Sequence, residues 1–513
     1  MTSIRGLPFL GSIAACLILA APLWCVISPP MPDYPAHLAS FYLIGGGTSD
    51  FYRVQWALLP NLAAEAIVPA LATFLPLEIA TKIFLSLTVA LWVLGPGAIQ
   101  RAVSGKVGVG GLLAAAFTYN ASFMWGFFNY AFAAGASFLI FAAWIASDGK
   151  RGLAHYAGFA LGFTLVYFAH LFALATLLLM LACFDLSRLW RVKDFSWRAA
   201  IRKLAILAAL AAPALLFFAF RGSDGGALNI EFNLLDTLME RFEAAIEFSF
   251  DQPAYALTGL LVLLLTIGLI TRRVAIAPSM GLVLPVLATC TVFAPEWALG
   301  GWGVHLRLPA VLGALLFASI DVSLSRRWLA TAVVACLVLF TFQAVTLASS
   351  WRQIDARYTE FRQAEAHIAP AERLLTVLDG DSLGWSSDQA YWHMAEFAVI
   401  DRRVFTPLLF ATKGQHIIQV RPPMARYAAA TAKQGSPPDI DELNDLAAGA
   451  MDADEDIRDV VPYLRFFQCH FDQAVVIHGD GPLSRVPPML RLVHTGSFYA
   501  IYDIVPDKQC AQR

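Results

Sequence analysis

Long apolar runs separated by short polar breaks fill residues 1–350, whereas the last third of the chain alternates over shorter distances. A membrane-spanning helix needs roughly 20 mostly apolar residues, fewer where packing or local thinning helps. The segments that qualify are 8–28, 79–99, 108–124, 126–146, 153–168, 170–184, 203–220, 255–270, 274–294, 304–322 and 328–348. The pair 153–184 reads either as one long tilted helix or as two short ones, and His170 with the basic segment after it favours two. Asn61 to Pro76 is apolar but short, holds Glu65 and is broken by Pro69, which predicts an interfacial or re-entrant helix. The pattern predicts a polytopic α-helical membrane protein with about 11 transmembrane helices. The first run is long for a signal peptide and is expected to remain as an uncleaved helix.

Beyond residue 350 the pattern changes. Trp351 to Ile368 has helical periodicity and continues from the last span, while Leu374–Leu378, Ala474–Ile477 and Phe498–Tyr502 read as strands. The acidic stretch 431–459, opened by Gly435-Ser436-Pro437-Pro438, reads as a loop plus a helix. The expected organisation is a transmembrane domain over 1–350, with a first external loop at 29–78 and an outer loop at 221–254, followed by a soluble α/β domain over 351–513.

Composition agrees, since 58% of residues are hydrophobic and 14% charged, well outside the balance of a soluble domain. Of the 38 acids, 16 fall in 1–350 and 22 in 351–513. No basic tract argues for nucleic acid. With eleven spans and a cytoplasmic N-terminus, the inner loops hold 15 Lys and Arg and the outer loops before 350 hold five. That asymmetry places the C-terminal domain outside the cytoplasm. Five cysteines lie in apolar spans, and Cys469 and Cys510 form an isolated pair that an oxidising compartment would permit to join.

Candidate chemistry gathers at the outer helix ends, while the inner loops are short and basic. Asp33 and His37 sit in Pro29-Pro30-Met31-Pro32-Asp33-Tyr34-Pro35-Ala36-His37, directly after the first span, where four prolines stiffen the backbone. Asn129 and Tyr130 close Trp125-Gly126-Phe127-Phe128-Asn129-Tyr130; His170, Glu231, Glu296, His305 and Arg307 complete the set. Ionisable groups at such depths are costly and tend to be kept for a role. Each has a plain alternative: Asp33 a soluble loop charge, Arg307 a snorkelling cation, His170 a helix-end histidine, Asn129-Tyr130 a cap and interface anchor. His37 either orients Asp33, binds a divalent metal or lies on the interface. Glu231 belongs with Asp236, Glu240, Glu243 and Glu247, which read as one solvated helix face, or meets substrate. No Cys/His cluster has zinc spacing, and no Walker or dinucleotide glycine pattern occurs.

An apolar span followed by an acid-bearing loop, here Pro32-Asp33-Tyr34-Pro35-Ala36-His37-Leu38, resembles the GT-C class of integral membrane glycosyltransferases. Protein O-mannosyltransferases and aminoarabinose transferases are among its members. The Gly126-Phe127-Phe128-Asn129-Tyr130 turn and the Arg307-Leu308-Pro309 helix start resemble motifs of uncharacterised bacterial members. Tyr34 stands where many members carry a second acid, which leaves metal dependence open. The resemblance implies an inverting sugar transfer from a polyprenyl-phosphate carrier to an extracytoplasmic polysaccharide, lipid A, glycolipid or protein. Asp33 is then the expected general base and Arg307 the phosphate contact. His37, Asn129, Tyr130, His170, Glu231 and His305 are the remaining expected substrate contacts. A transporter or flippase of a lipid-linked substrate is the alternative.

Overall fold

The computed structural model describes residues 6–191, 195–220, 230–249, 252–298, 301–380, 389–412, 414–427, 436–448, 464, 466–506 and 510. The chain divides into two compact units: Met1–Cys25 with Leu58–Ala64 and Lys82–Ser350, and Val26–Ala57 with Glu65–Thr81 and Trp351–Arg513.

The first unit is helical. Among the described residues, six helices are long and apolar enough to cross a membrane: Leu7–Trp24, Leu77–Ser104, Phe128–Ala146, Leu171–Arg191, Trp197–Phe220 and Arg326–His367. Shorter apolar helices cover Ala63–Ala72, Leu153–Ala169, Tyr255–Ile270, Val283–Val292 and Leu308–Ala318. The protein is a membrane-embedded, polytopic α-helical one. Residues 153–191 form two helices broken at His170, whose φ of −166° and ψ of 125° are extended.

Three expected spans differ from continuous helices. Segment 108–124 is cut into Val109–Leu113, a 3-10 turn at Ala114–Phe117, and Ala121–Trp125. Side chains fix the start of this segment, at Gly108, and its break, at Asn120. Gln100 accepts from the Gly108 and Gly111 N–H groups at 2.6 and 2.9 Å and donates to the Ile320 carbonyl at 2.7 Å. Gly110 lies so close to the Phe317 carbonyl that a Cβ there would sit 2.4 Å from it. Asn120 is extended and caps the last piece by accepting from Phe123 N–H. Irregular backbone is tolerated among apolar spans where it is enclosed by protein, and residues 109–112 and 114–125 are buried. Segments 274–294 and 304–322 are each shortened because Val274–Ile276 pairs antiparallel with Ile320–Val322, leaving helices of 10 and 11 residues.

The loops expected to be merely basic carry acids too. Asp148 pairs with Arg188, with Arg151 at 3.6 Å and with Lys203 at 3.9 Å, while buried Asp185 meets Lys203 at 3.6 Å and accepts from the Trp144 indole. Hydropathy patterns register the cations and overlook acids that neutralise them between helices.

The second unit is α/β. Its four-stranded sheet runs in the order Leu490–Thr495, Tyr499–Ile504, Gln473–Ile477, Leu374–Leu378. The last two strands are parallel, with Val475 opposite Thr376, and are buried at every position. The edge strand Leu490–Thr495 was not foreseen, because five of its six side chains are at least partly exposed and its apolar signal is weak. Cys469 and Cys510 form a disulfide with a Cα–Cα distance of 5.3 Å. Part of the acidic stretch is the helix Ile440–Ala448; residues 431–435 and 449–459 of that expected loop and helix, and 221–229 and 250–251 of the outer loop, lie outside the described residues.

Several ties bind the loop after the first span to the C-terminal residues of this unit. Tyr52–Val54 pairs antiparallel with Ile418–Val420, and the Tyr52 hydroxyl donates to the Thr406 carbonyl at 2.8 Å. Asp355 accepts from the Ile27 and Ser28 N–H groups, both at 2.8 Å. Arg362 reaches Glu78 at 3.3 Å and Asp401 at 3.0 Å.

Candidate functional site

In the second unit, Asp33 occupies the N-cap position of the helix Tyr34–Ile44, with Pro35 in its first turn. The prolines end the preceding coil and start the helix, which fixes the acid at its tip. The Asp33 side chain is 16% exposed, so solvent or a ligand reaches it. Its carboxylate faces Nε2 of His393 at 3.8 Å. On the other side of that imidazole, Nδ1 lies 3.8 Å from Glu396, whose side chain is wholly buried. Three residues thus form a row, acid–imidazole–acid, with the outer acid accessible and the inner one enclosed.

Aromatic contacts complete this site. Phe410 has the His37 ring at 5.0 Å, the His393 ring at 5.1 Å and the His416 ring at 5.6 Å. His37 also stacks on Phe41, four residues along the same helix. His393 is set against the Asp33 carboxylate, and the His37 ring lies against the phenylalanines.

The histidines around Phe410 have opposite electrostatic settings. Burial works against charge on His393, but Glu396 and then Asp33 outweigh it and hold its pKa above the ordinary histidine value. Burial alone lowers His416 to about 4. Its Nδ1 accepts the Thr412 N–H at 3.2 Å, a role open only to a ring nitrogen without a proton.

In the first unit, Arg307 is the N-cap residue of Leu308–Ala318 and is buried. Its guanidinium lies 5.1 Å from the Phe127 ring, 5.6 Å from Tyr130 and 5.5 Å from Phe172, a cation lodged among aromatic faces. It donates to the Trp302 carbonyl at 3.1 Å, and Tyr130 donates back to the Arg307 carbonyl at 2.5 Å. The His170 ring meets Tyr130 edge-on at 5.2 Å. Arg307, Tyr130 and His170 are thus neighbours despite their spread in sequence.

The other expected contacts are engaged locally. Asn129 accepts from the Ala64 N–H at 2.8 Å and donates to the Asn61 carbonyl at 3.1 Å, which staples that loop. His305 is fully buried and meets Glu240 at 2.8 Å, so one acid of the supposed solvated face serves an internal pair. Glu231 is exposed, in a short strand opposite Trp297. Among the described residues no group of three His, Cys, Asp or Glu is arranged to hold a metal ion.

Sequence reasoning missed His393, Glu396, Phe410 and His416. The only signal was His393-x-x-Glu396, a spacing that places two side chains on one side of a helical turn.

No protein-family model matches the sequence, and a search of curated proteins finds no match. Among solved structures, ArnT from Cupriavidus metallidurans bound to undecaprenyl phosphate superposes with a TM-score of 0.52 at 12% identity, over 98% of this chain and 98% of that one. The chain has the GT-C fold. The mycobacterial arabinofuranosyltransferase AftD is a looser match, with a TM-score of 0.48 at 16% identity over 99% of this chain and 40% of that one.

Proposed function

We propose that this protein is a membrane glycosyltransferase that moves a sugar from a polyprenyl-phosphate carrier to an acceptor outside the cytoplasm. The observation that carries this reading is a largely shielded but accessible carboxylate, Asp33, held at a helix tip beside an imidazole whose charged form its surroundings favour, in a chain with the GT-C fold. The ArnT structure that shares this fold holds undecaprenyl phosphate, which supports a lipid phosphate of that kind as the donor's carrier here. The excess of inner-loop cations supports an inner membrane orientation with the N-terminus in the cytoplasm and the C-terminal residues in the periplasm.

In an inverting transfer the acceptor hydroxyl attacks the anomeric carbon as the carbon–oxygen bond to the phosphate breaks. Asp33 takes the hydroxyl proton in the transition state, a contribution typically worth about 10²–10⁴-fold. Negative charge left on the departing phosphate calls for donors already aimed at it. Arg307 suits this: a guanidinium at a helix start is a fixed cation with paired N–H donors. The acceptor is a surface polysaccharide, lipid A, another glycolipid or a protein.

The test compares surface glycans and lipid-linked sugars in cells carrying wild type, a deletion or Asp33→Asn. The expected result is that Asp33→Asn reaches wild-type membrane levels yet matches the deletion in glycan. Full modification by Asp33→Asn rejects the base assignment. Movement of a lipid-linked sugar across the bilayer without transfer favours a flippase instead.

A further inference from the structure

We propose that His393 is the positioning residue for Asp33, anchored from behind by the buried Glu396. This rests on the reading of Asp33 as the base. The argument begins with Glu396, a carboxylate with no exposed surface and no hydrogen-bond partner for either oxygen among the described residues. A lone buried carboxylate is costly, and it is tolerated when an opposite charge shares its enclosure. His393 is that partner: its Nδ1 is 3.8 Å from Glu396, and its side chain is 3% exposed.

The ring has two ends, and the second points at Asp33, 3.8 Å from Nε2. An imidazolium held by Glu396 therefore presents a fixed positive edge to the more accessible acid. Two consequences follow for Asp33. Its carboxylate is drawn to one side, which orients the oxygen turned away from His393, and its ionised form is favoured, which keeps it able to accept a proton.

Among the described residues, the other titratable groups near His393 do not supply this charge. His37 and His416 approach only across the Phe410 ring, and His416 is held neutral. Tyr52, which feels Glu396, has its hydroxyl on the Thr406 carbonyl, and burial raises its pKa further. The raised pKa of His393 agrees with the geometry.

The sign of each effect separates this role from simple packing. With His393→Gln, Asp33 loses its cation, so its pKa rises and the acid limb of the rate profile moves to higher pH. With Glu396→Gln, His393 loses its anchor, so its own titration moves to lower pH. Misplacing a reacting group by about 1 Å costs on the order of 100-fold in rate.

The experiment uses the full chain in nanodiscs with two readouts. One is release of undecaprenyl phosphate from a panel of undecaprenyl-phosphate-linked hexoses and pentoses, with lipid A or water offered as the acceptor, as a function of pH. The other is the ¹⁵N-imidazole titration of His393, identified by its loss in His393→Gln. The expected results are a fall in kcat of about 100-fold for His393→Gln with little change in donor KM, and a lowered His393 pKa in both Asp33→Asn and Glu396→Gln. A His393→Gln kcat within about threefold of wild type, or a His393 titration indifferent to Asp33→Asn, overturns the proposal. Should His393→Gln fail to fold, His393→Asn supplies the assignment and the titrations in the other two variants decide. An active Asp33→Asn that still lowers the His393 pKa rejects the base and keeps the Asp33–His393 coupling.

Discussion

The surroundings of Asp33 and of Arg307 solve opposite problems. Asp33 lies in a row of titratable groups, so its state depends on His393 and Glu396 and on the solution pH. Arg307 carries a charge that water cannot remove in the working range, and three aromatic rings and its backbone neighbours fix its position. A proton acceptor has to change protonation state in each cycle, whereas a phosphate contact has to keep one charge throughout. The difference suits the two parts of the proposed transfer.

The sharpest way to break that contrast is Asp33→Asn, expected to lower kcat by about 10²–10⁴-fold at every pH, measured as undecaprenyl phosphate released by the purified full chain. Equal loss in kcat and donor affinity instead would make Asp33 a binding group. Next comes Arg307→Ala, expected to weaken donor binding by about 2 kcal/mol, roughly 30-fold, with pH limbs where wild type has them. Arg307→Lys should fall between, since it retains the charge and loses the planar donor pair. A pH limb that moves with Arg307→Lys would erase the distinction between the two regions.

Smaller again is Tyr130→Phe, which removes the hydroxyl that donates to the Arg307 carbonyl. Thermal unfolding should show a loss of about 1 kcal/mol, with the cation's ring contacts kept. The mildest test concerns His416. Folded, it titrates near 4, while unfolded it returns to its ordinary 6.5, so the unfolded chain takes the proton first as pH falls. Its contribution therefore makes the protein less stable on going from about 6.5 down to about 4, and His416→Gln should flatten the melting temperature across that window. His393 has the opposite sign: its pairing stabilises fully below the ordinary histidine value and is lost as pH rises through its raised pKa.

Much of the fold was legible because its causes are local. Tyr255–Ile270 begins and ends where the apolar run does, and His170 divides two helices as the polar break implied. Segment 108–124 reads as a span by composition, yet Asn120 captures the Phe117 and Thr118 carbonyls and the Phe123 N–H, which a continuous helix would use for itself. The edge strand Leu490–Thr495 escaped because one face meets solvent and its pattern resembles a loop.

The site was legible only in part, for the same reason. Proline spacing singled out Asp33, and the Arg-Leu-Pro start singled out Arg307, since both signals are contained in a few neighbouring residues. His393 lies 360 positions after Asp33, and no local pattern links a histidine in a short turn to an acid in the first loop. His305 looked available until Glu240 was found against it.

By itself, then, the sequence determined that this chain enters a membrane many times and which single residues stand at helix tips. These follow from hydropathy and backbone stereochemistry, which act over one or two turns. Tertiary structure alone decided the partners. The second unit joins Val26–Ala57 to Trp351–Arg513, and with that grouping come the His393 opposite Asp33 and the Glu396 behind it. Coulomb interactions and burial depend on distance in space, and a linear pattern of residues does not encode which distant charges will share an enclosure.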